Sequence, residues 1–298
     1  MPHTNDKHVF DEVAEILGGP RPLHHSARVN GKRVIDTPNP GQREFQSLLA
    51  RCLFSKSRTT PWDLMVGRSF YELRSYFSLV SPQLDSLVIV TNTATRIASY
   101  LLPYTRSHSQ NFHECAGIPG LRVDGYGRGM IRLKHLPTNG VLELRDTNDY
   151  PKSCGAQWTR EVFEGEIGRN RDSDCRSASW SSAWRKSHMD KAEEASFKAW
   201  PTAWGTPLFS GILARAQILW YSHWSSGLLT ANQFTSAPYR LDWDENITVK
   251  EFGRLLTESA IRIDGAKFEI SDHNTGRGLL SLGDTQLELS GPRDGSDQ

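Results

Sequence analysis

His135 is the residue of this sequence best placed to do chemistry, and it lies in the stretch KHLPTNGV at positions 134–141. A histidine can act as a general acid or base near neutral pH, but it then needs a positioned partner, and the sequence identifies none. Asn139-Gly140 beside it is a strong signal for a hairpin turn that requires a positive φ. The favoured interpretation is a histidine at a strand end, hydrogen-bonded beside the turn, and the alternative is a catalytic histidine.

Two other groups contain residue types that bind metals. His113, Glu114 and Cys115 are adjacent, but a zinc site needs three or four converging ligands, and no second Cys/His pair follows at finger spacing. Glu143 and Asp146 form an acidic pair of the kind that holds a divalent cation in a nuclease. Alternating strands carry such acids routinely, so the sequence predicts no metal.

Gly125, Gly127 and Gly129 form the pattern GYGRG, which has the composition of a phosphate-binding loop. Such a loop must follow a strand and open a helix, whereas this stretch leads into another strand. We therefore interpret these residues as hairpin glycines. GxSxG, HExxH and P-loop patterns do not occur in the sequence, and no cofactor is predicted.

The charge of the chain is unevenly distributed. The whole sequence carries a net charge of +1, but segment 21–58 alone has eight basic residues against two acidic ones. Such a segment could follow a phosphate backbone or meet an acidic partner, although most charge runs are solvated faces. Arg28, Lys32 and Arg33 are the candidate nucleic-acid contacts.

Composition points to a folded protein inside the cell. The 298 residues are enough for one large domain or two small ones, and nine Trp, twelve Phe and eight Tyr supply side chains for a core. Four widely spaced cysteines favour a reducing compartment. No signal peptide and no apolar run of membrane-spanning length is visible in the sequence, so we expect an intracellular protein without a membrane partner.

The elements that would position these residues indicate an α+β fold, with helices packed around short, mostly antiparallel strands. Phe45 to Leu53 has the spacing of a helix, and Leu87–Val90 is a buried strand. From residue 121 to residue 145, alternating runs separated by glycines predict a meander of hairpins. We expect residues 1–298 to form one globular region with a mixed α/β lobe over 1–152.

The second half suggests a helical lobe over 188–290 with small C-terminal strands, followed by a frayed tail over 291–298. Trp200 and Trp204 lie in an aromatic turn and are candidate anchors for a partner protein. Pro207 is placed to start a long apolar helix, PLFSGILARAQILWYSHW. Thr248-Val-Lys-Glu251 is a capping box that opens another helix.

Two stretches resemble the HPG-domain (PPF) mating-type proteins, which filamentous ascomycete fungi encode beside the alpha-box regulator of the alpha-type mating locus. The stretches are HECAGIPGLRVDGYGRGMIRLKHLPTNGVLEL and WPTAWGTPLF, and together they span roughly the middle third of the chain. The residues that match the domain name are either His135, Pro137 and Gly140, which we prefer, or His113, Pro119 and Gly120. The second signature corresponds to Pro201, Pro207 and Phe209.

The resemblance implies a regulator of sexual development that acts after fertilisation, in fruiting-body and ascospore formation, and that has no established enzymatic activity. Its expected location is the nucleus, with the cytoplasm as the alternative, and its expected partners are other mating-type or regulatory proteins. Two alternatives stay open from the residues themselves. One is a transcriptional regulator that binds nucleic acid through segment 21–58, and the other is an enzyme or nuclease centred on His135.

Overall fold

A computed structural model gives the structure of much of the chain. The described residues are 28–29, 32–33, 35–54, 77–91, 94–107, 113–127, 129–146, 164–165, 167, 180–199, 206–215, 230–232, 239–243, 247–259, 261–272 and 276–292. They contain α-helices and several sheets, so the predicted α+β class is confirmed.

The chain divides into two compact units. The terminal unit comprises Met1–Thr37, Ser81–Leu84 and Ala203–Gln298, and the middle unit comprises Pro38–Val80 and Asp85–Thr202. The helix Lys191–Ala199, which the sequence analysis grouped with the C-terminal lobe, lies in the middle unit.

The middle unit is built around one mixed sheet. Its described helices are α1 (Pro40–Phe54), α2 (Ala94–Leu101) and α3 (Lys191–Ala199), with a 3-10 turn at Ala183–Arg185. Its strands are β3 (Phe77–Pro82), β4 (Leu87–Thr91), β5 (Tyr104–Ser107), β6 (His113–Ala116), β7 (Leu121–Gly127), β8 (Met130–His135) and β9 (Val141–Asp146). The last two residues of β3, Ser81 and Pro82, are assigned to the terminal unit. The sheet order is β3-β4-β9-β8-β7, and β5 and β6 form a separate pair.

The antiparallel meander of β7, β8 and β9 confirms the prediction for residues 121–145. In β8, buried Ile131 and Leu133 alternate with half-exposed Arg132 and Lys134, as a strand with one face on a core requires. The strand β4 pairs with β9 in parallel. His135 is therefore the last residue of an inner strand, on its buried face.

Helix α1 is fixed at its start by its own sequence. The side-chain oxygen Oδ1 of Asn39 accepts the N–H groups of Gly41 and Gln42 at 3.0 and 3.2 Å, and Pro40 occupies the first helical position. The apolar face predicted for this helix is buried, and Phe45 on it is 0% exposed.

The terminal unit contains the second mixed sheet. Its short strands β1 (Arg28–Val29) and β2 (Lys32–Arg33) pair with each other, and its helices are α4 (Thr206–Ala214) and α5 (Val249–Thr257). The remaining strands are β10 (Thr230–Asn232), β11 (Tyr239–Asp242), β12 (Lys267–Asp272), β13 (Arg277–Leu282) and β14 (Thr285–Ser290), in the order β10-β11-β14-β13-β12.

The capping box predicted before α5 is present. The side chain of Thr248 accepts the N–H of Glu251 at 3.2 Å, and the carboxylate of Glu251 accepts the N–H of Thr248 at 2.9 Å. Each group satisfies a backbone donor that the helix start leaves without an intrahelical partner.

The prediction of a long apolar helix from Pro207 is wrong in its extent. The described helix α4 ends at Ala214, and Arg215 lies in a turn whose N–H donates to the carbonyl of Ile212. The guanidinium of Arg215 folds back onto the carbonyl of Gly211 at 2.8 Å and helps to end the helix there. In the described part of the chain, no helix is long and apolar enough to cross a membrane.

Candidate functional site

The residues predicted from the first family signature lie at the turn between β8 and β9. His135 and Gly140 are buried, whereas Pro137 is exposed between them. The turn has the positive φ that the sequence predicted, 58° at Asn139. It is longer than a two-residue hairpin, because the N–H of His135 donates to the carbonyl of Gly140 across residues 136–139.

Both ring nitrogens of His135 have hydrogen-bond partners inside the fold. Nε2 lies 2.9 Å from the carbonyl oxygen of Pro119, and Nδ1 lies 2.8 Å from Oγ1 of Thr138. A carbonyl can only accept, so Nε2 carries the proton and Nδ1 accepts from the Thr138 hydroxyl. That hydroxyl in turn accepts the N–H of Gly140 at 3.1 Å. The chain of hydrogen bonds holds one tautomer of a neutral imidazole.

Burial stabilises this neutral form. It lowers the pKa of His135 from its ordinary 6.5 to about 4, because removing the ring from water penalises the charged imidazolium. The hydrogen bond to Pro119 works in the opposite direction, and the positive charge of Arg122 lowers the pKa further. A general base that works near neutral pH needs a pKa close to that pH, and the pKa of His135 has moved away from it.

Phe45 of α1 forms the wall against which His135 and Gly140 pack. The rings of Phe45 and His135 are stacked, with centroids 5.3 Å apart and an angle of 16° between their planes. Gly140 leaves no room for a side chain, because a Cβ built there would lie 2.3 Å from Cβ of Phe45. The ring of Phe197, on α3, also contacts the histidine, with centroids 5.7 Å apart.

Gln42 joins the start of α1 to the start of β9. Its Nε2 donates to the carbonyl of Val141 at 3.0 Å, and its Oε1 accepts the N–H of the same residue at 2.6 Å. The side-chain amide thus pairs with the strand backbone through one donor and one acceptor, and both hydrogen bonds are buried. These two hydrogen bonds fix the position of α1, which carries Phe45, relative to the turn.

A buried ion pair lies beside the turn. Arg122 of β7 and Glu193 of α3 make two parallel hydrogen bonds, Nη1 to Oε1 at 2.8 Å and Nη2 to Oε2 at 2.9 Å, and Glu193 is 0% exposed. The other three guanidinium N–H groups donate to the backbone carbonyls of Leu121 at 2.9 Å, Lys186 at 2.6 Å and His188 at 2.7 Å. All five donors of Arg122 are therefore used.

Glu193 also connects the ion pair to the turn. Its Oε1 accepts the N–H of Gly120 at 2.7 Å, and its Oε2 accepts the N–H of Asp190 at 3.1 Å. Asp190 reciprocates by accepting the N–H of Glu193 at 3.1 Å, so these two residues form a capping box at the start of α3. A buried charge satisfied in this way is costly to disturb, because either partner alone would be left uncompensated.

Asp190 stays ionised although it is partly buried. Burial raises its pKa, but hydrogen bonds from Lys186, Glu193 and Thr105 and the charge of Lys186 outweigh that effect and hold the pKa below its usual range. The contacts from Lys186 Nζ and Thr105 Oγ1 are both 2.8 Å long.

The two candidate HPG sets meet in space. The carbonyl of Gly120 accepts the N–H of Leu136 at 2.9 Å, and a Cβ on Gly120 would lie 2.8 Å from Cδ of Pro137. Pro119 is the residue whose carbonyl holds His135. The segment around Gly120 and the turn around Pro137 therefore pack on each other.

The other sequence candidates lie in the strands and hairpins of the middle unit. Glu143 pairs with Arg145 at 2.8 Å and with Arg132 at 3.4 Å on the sheet. The GYGRG glycines lie at the β7–β8 hairpin, where Gly129 has a φ of 64°, as the hairpin interpretation predicted. Among the described side chains, no group of three or more His, Cys, Asp or Glu could hold a metal ion.

The second family signature is only partly described. Phe209 and Pro207 belong to α4 of the terminal unit, and Phe209 is 0% exposed. Pro201, Trp200 and Trp204 lie outside the described residues. The three basic candidates Arg28, Lys32 and Arg33 are described only as backbone of β1 and β2, with Arg28 opposite Arg33 in the register.

Sequence reasoning missed Arg122, Glu193 and Phe45 as members of this site. One signal was present, because Asp190-Lys-Ala-Glu193 has the spacing of a capping box and places a glutamate at the start of α3. Nothing local to Arg122 marks it as buried, since its partner is 71 positions away.

The polar groups around His135 form a network of hydrogen bonds within the protein. The imidazole of His135, the guanidinium of Arg122 and the carboxylate of Glu193 all form their hydrogen bonds with groups of the protein itself.

Comparison of the chain with protein-family models, with curated proteins and with solved structures finds no match.

Proposed function

We propose that this protein is a regulator of sexual development in a filamentous ascomycete, required after fertilisation, and that it works through protein partners rather than by catalysis. The observation that carries the proposal is the state of His135, which is 0% exposed and has both ring nitrogens hydrogen-bonded. A histidine used in this way supports a scaffold function for the turn at residues 136–140 between β8 and β9, which we call the signature turn. In this proposal the protein acts in the nucleus, without a cofactor.

The partner surface in this proposal includes the exposed part of the signature turn. His135 and Gly140 anchor the turn from inside, while Pro137 and Asn139 between them are exposed. Proline at such a place has little conformational freedom to lose on binding. In the same proposal, Trp200 and Trp204 are further candidate anchors for the partner protein.

Gene replacement in the fungus tests the function. Deletion of the coding sequence should leave vegetative growth intact and block fruiting-body or ascospore formation after fertilisation. Re-introduction of the wild-type gene should restore spores, and so should the control Lys134→Ala, which changes a half-exposed residue of β8. Normal ascospore formation in the deletion strain would overturn the proposal.

A variant of the exposed turn tests the partner mechanism separately. Pro137→Ala combined with Asn139→Gly leaves the anchors in place, and glycine tolerates the positive φ of 58° at position 139. We expect this variant to fold and yet to restore few spores. Full restoration of ascospore formation would show that the turn surface is not the partner site. That result would leave the proposed developmental function unaffected.

A second candidate function is direct binding of nucleic acid by the basic segment 21–58. One observation favours it: the register of β1 and β2 places Arg28 opposite Arg33. Like charges at opposed positions destabilise a ribbon, and a phosphate backbone would relieve that cost. If this candidate is right, purified protein should bind a mixed DNA pool in low salt. The variant in which Arg28, Lys32 and Arg33 are all changed to Glu should lose that binding. Absence of binding by the wild type at low salt would reject the candidate.

A further inference from the structure

Asn139 and Gly140 form a dipeptide with its own reactivity. The backbone nitrogen that follows an asparagine can attack the side-chain amide carbon Cγ, and a glycine at that place hinders the attack least. A bond forms between nitrogen and Cγ, ammonia leaves, and water then opens the cyclic imide to aspartate or isoaspartate. Asn139 is exposed, so water has access to its side chain.

The fold itself requires both residues of this dipeptide. Asn139 has a φ of 58°, in the left-handed region that asparagine and glycine tolerate best. Gly140 cannot carry a side chain, because its Cβ would lie 2.3 Å from Cβ and 2.8 Å from Cγ of Phe45. Two independent steric demands therefore place a labile sequence at the tip of the signature turn.

The native hairpin restrains the nitrogen that would attack. The N–H of Gly140 donates to Oγ1 of Thr138 at 3.1 Å, and the carbonyl of Gly140 accepts the N–H of His135 at 2.8 Å. Ring closure must move the Gly140 nitrogen towards Cγ of Asn139, which breaks the first of these bonds. The Thr138 hydroxyl is itself held by Nδ1 of His135 at 2.8 Å, so it cannot follow the movement freely.

We propose that Asn139 is a deamidation site that the Thr138 hydroxyl protects in the native hairpin, and that reacts when the hairpin opens. The product changes the fold, because isoaspartate adds a methylene group to the main chain between positions 139 and 140. That extra length displaces Gly140 from Phe45 and Val141 from Gln42. The modified chain is also a substrate for the class of methyltransferases that repair isoaspartate with S-adenosylmethionine.

The sequence contains a second Asn-Gly pair, Asn30-Gly31, which serves as a check on the assay. Purified full-length protein is incubated in mildly alkaline buffer, with and without denaturing urea, and digested for peptide mass mapping. In urea both asparagines should react at similar rates. In native buffer Asn139 should react at least about fivefold more slowly than in urea, the ratio that a hydrogen bond of about 1 kcal/mol gives.

Two variants of Thr138 test the source of the protection. Thr138→Val removes the hydroxyl but keeps the branched shape, whereas Thr138→Ser keeps the hydroxyl and is the matched control. In native buffer we expect Thr138→Val to deamidate at Asn139 about fivefold faster than the wild type, and Thr138→Ser to resemble the wild type. In urea all three proteins should react alike.

The proposal is overturned if Asn139 reacts equally fast in native buffer and in urea, or if a folded Thr138→Val protein reacts no faster than the wild type. Circular dichroism establishes that the variants are folded. If Thr138→Val does not fold, the ratio of native to denatured rates in the wild type decides the matter. Neither result bears on sexual development, so this proposal and the proposed function fail separately.

Discussion

The guanidinium of Arg122 and the carboxylate of Glu193 are joined by two parallel hydrogen bonds of 2.8 and 2.9 Å, and both residues are buried. The terminal unit contains a counterpart. There Arg215 holds Asp36 through two bonds of 2.6 and 2.7 Å and directs its remaining donors to the carbonyls of Gly211, Ile261 and Arg262. Each compact unit thus ties distant segments together with one fully hydrogen-bonded arginine.

Breaking the Arg122–Glu193 pair from one side should be severe. Glu193→Ala leaves a buried guanidinium without its counter-ion and frees the N–H of Gly120, so we expect the free energy of unfolding to fall by about 3–5 kcal/mol. Urea denaturation measures this loss. Arg122→Met together with Glu193→Leu removes both charges and should recover most of it. A double variant as unstable as Glu193→Ala would contradict this account of the pair.

His135 should prove to be a stability residue. His135→Ala removes the ring that stacks on Phe45 and leaves the Pro119 carbonyl without its donor, so we expect a loss of about 3 kcal/mol in the free energy of unfolding. The adjacent control Lys134→Ala should change stability by less than about 0.5 kcal/mol. Equal stabilities of the two variants would mean that the buried network contributes little.

Stability should fall in acid because of the same histidine. An unfolded histidine binds a proton below about 6.5, whereas folded His135 does so only below about 4. Between these values the unfolded state binds more protons, so stability decreases as the pH falls from 6.5 to 4 and the loss levels off below that. The total loss is about 3 kcal/mol.

Denaturation of the wild type and of His135→Gln across this pH window measures that effect. The glutamine variant starts less stable but should lack the slope, since it has no titrating ring. Asp190, whose pKa is lowered, contributes its own loss at lower pH in both proteins and so does not separate them. Identical slopes for the two proteins would show that His135 is not the titrating group.

Gly140 should tolerate no side chain. Gly140→Ala drives a methyl group into Phe45, and we expect a cost of about 3 kcal/mol as the helix that carries Phe45 is pushed away. Gly127→Ala is the matched control in the same sheet, because its Cβ would meet only Cε of Met130 at an ordinary 3.7 Å. If both alanines have the same effect on the thermal midpoint, Phe45 must be able to move without cost.

Local patterns in the sequence predicted several of the elements but not the packed site. The capping box at Thr248 and the hairpin at Asn139 depend on residues a few positions apart, and both were predicted correctly. The apolar residues Leu64, Phe70, Leu73 and Phe77 have helical spacing and predict a helix through Phe77, but Phe77 begins β3, because a short apolar run fits either period. Such errors arise where neighbours in space, not in sequence, decide the outcome.

The packed network around His135 could not be derived in this way. Gln42 and Val141 are 99 positions apart, and Arg122 and Glu193 are 71 positions apart. The sequence around His135 favours a hydrogen-bonded turn histidine, which the contacts to Pro119 and Thr138 confirm. The sequence did not identify Phe45 as the residue that packs against His135, nor the ion pair of Arg122 and Glu193, because no local rule links these residues.

The parallel pairing of β4 with β9 has a consequence for how fast this protein folds. The meander of β7, β8 and β9 can form from near neighbours in the chain, since its hairpin loops are short. The strand β4 can join it only after the whole of residues 92–140 has been closed into a loop, and that closure costs chain entropy before any contact repays it. We therefore expect the middle unit to form the meander early and to add the strands β4 and β3 late. The late step should then set the refolding rate.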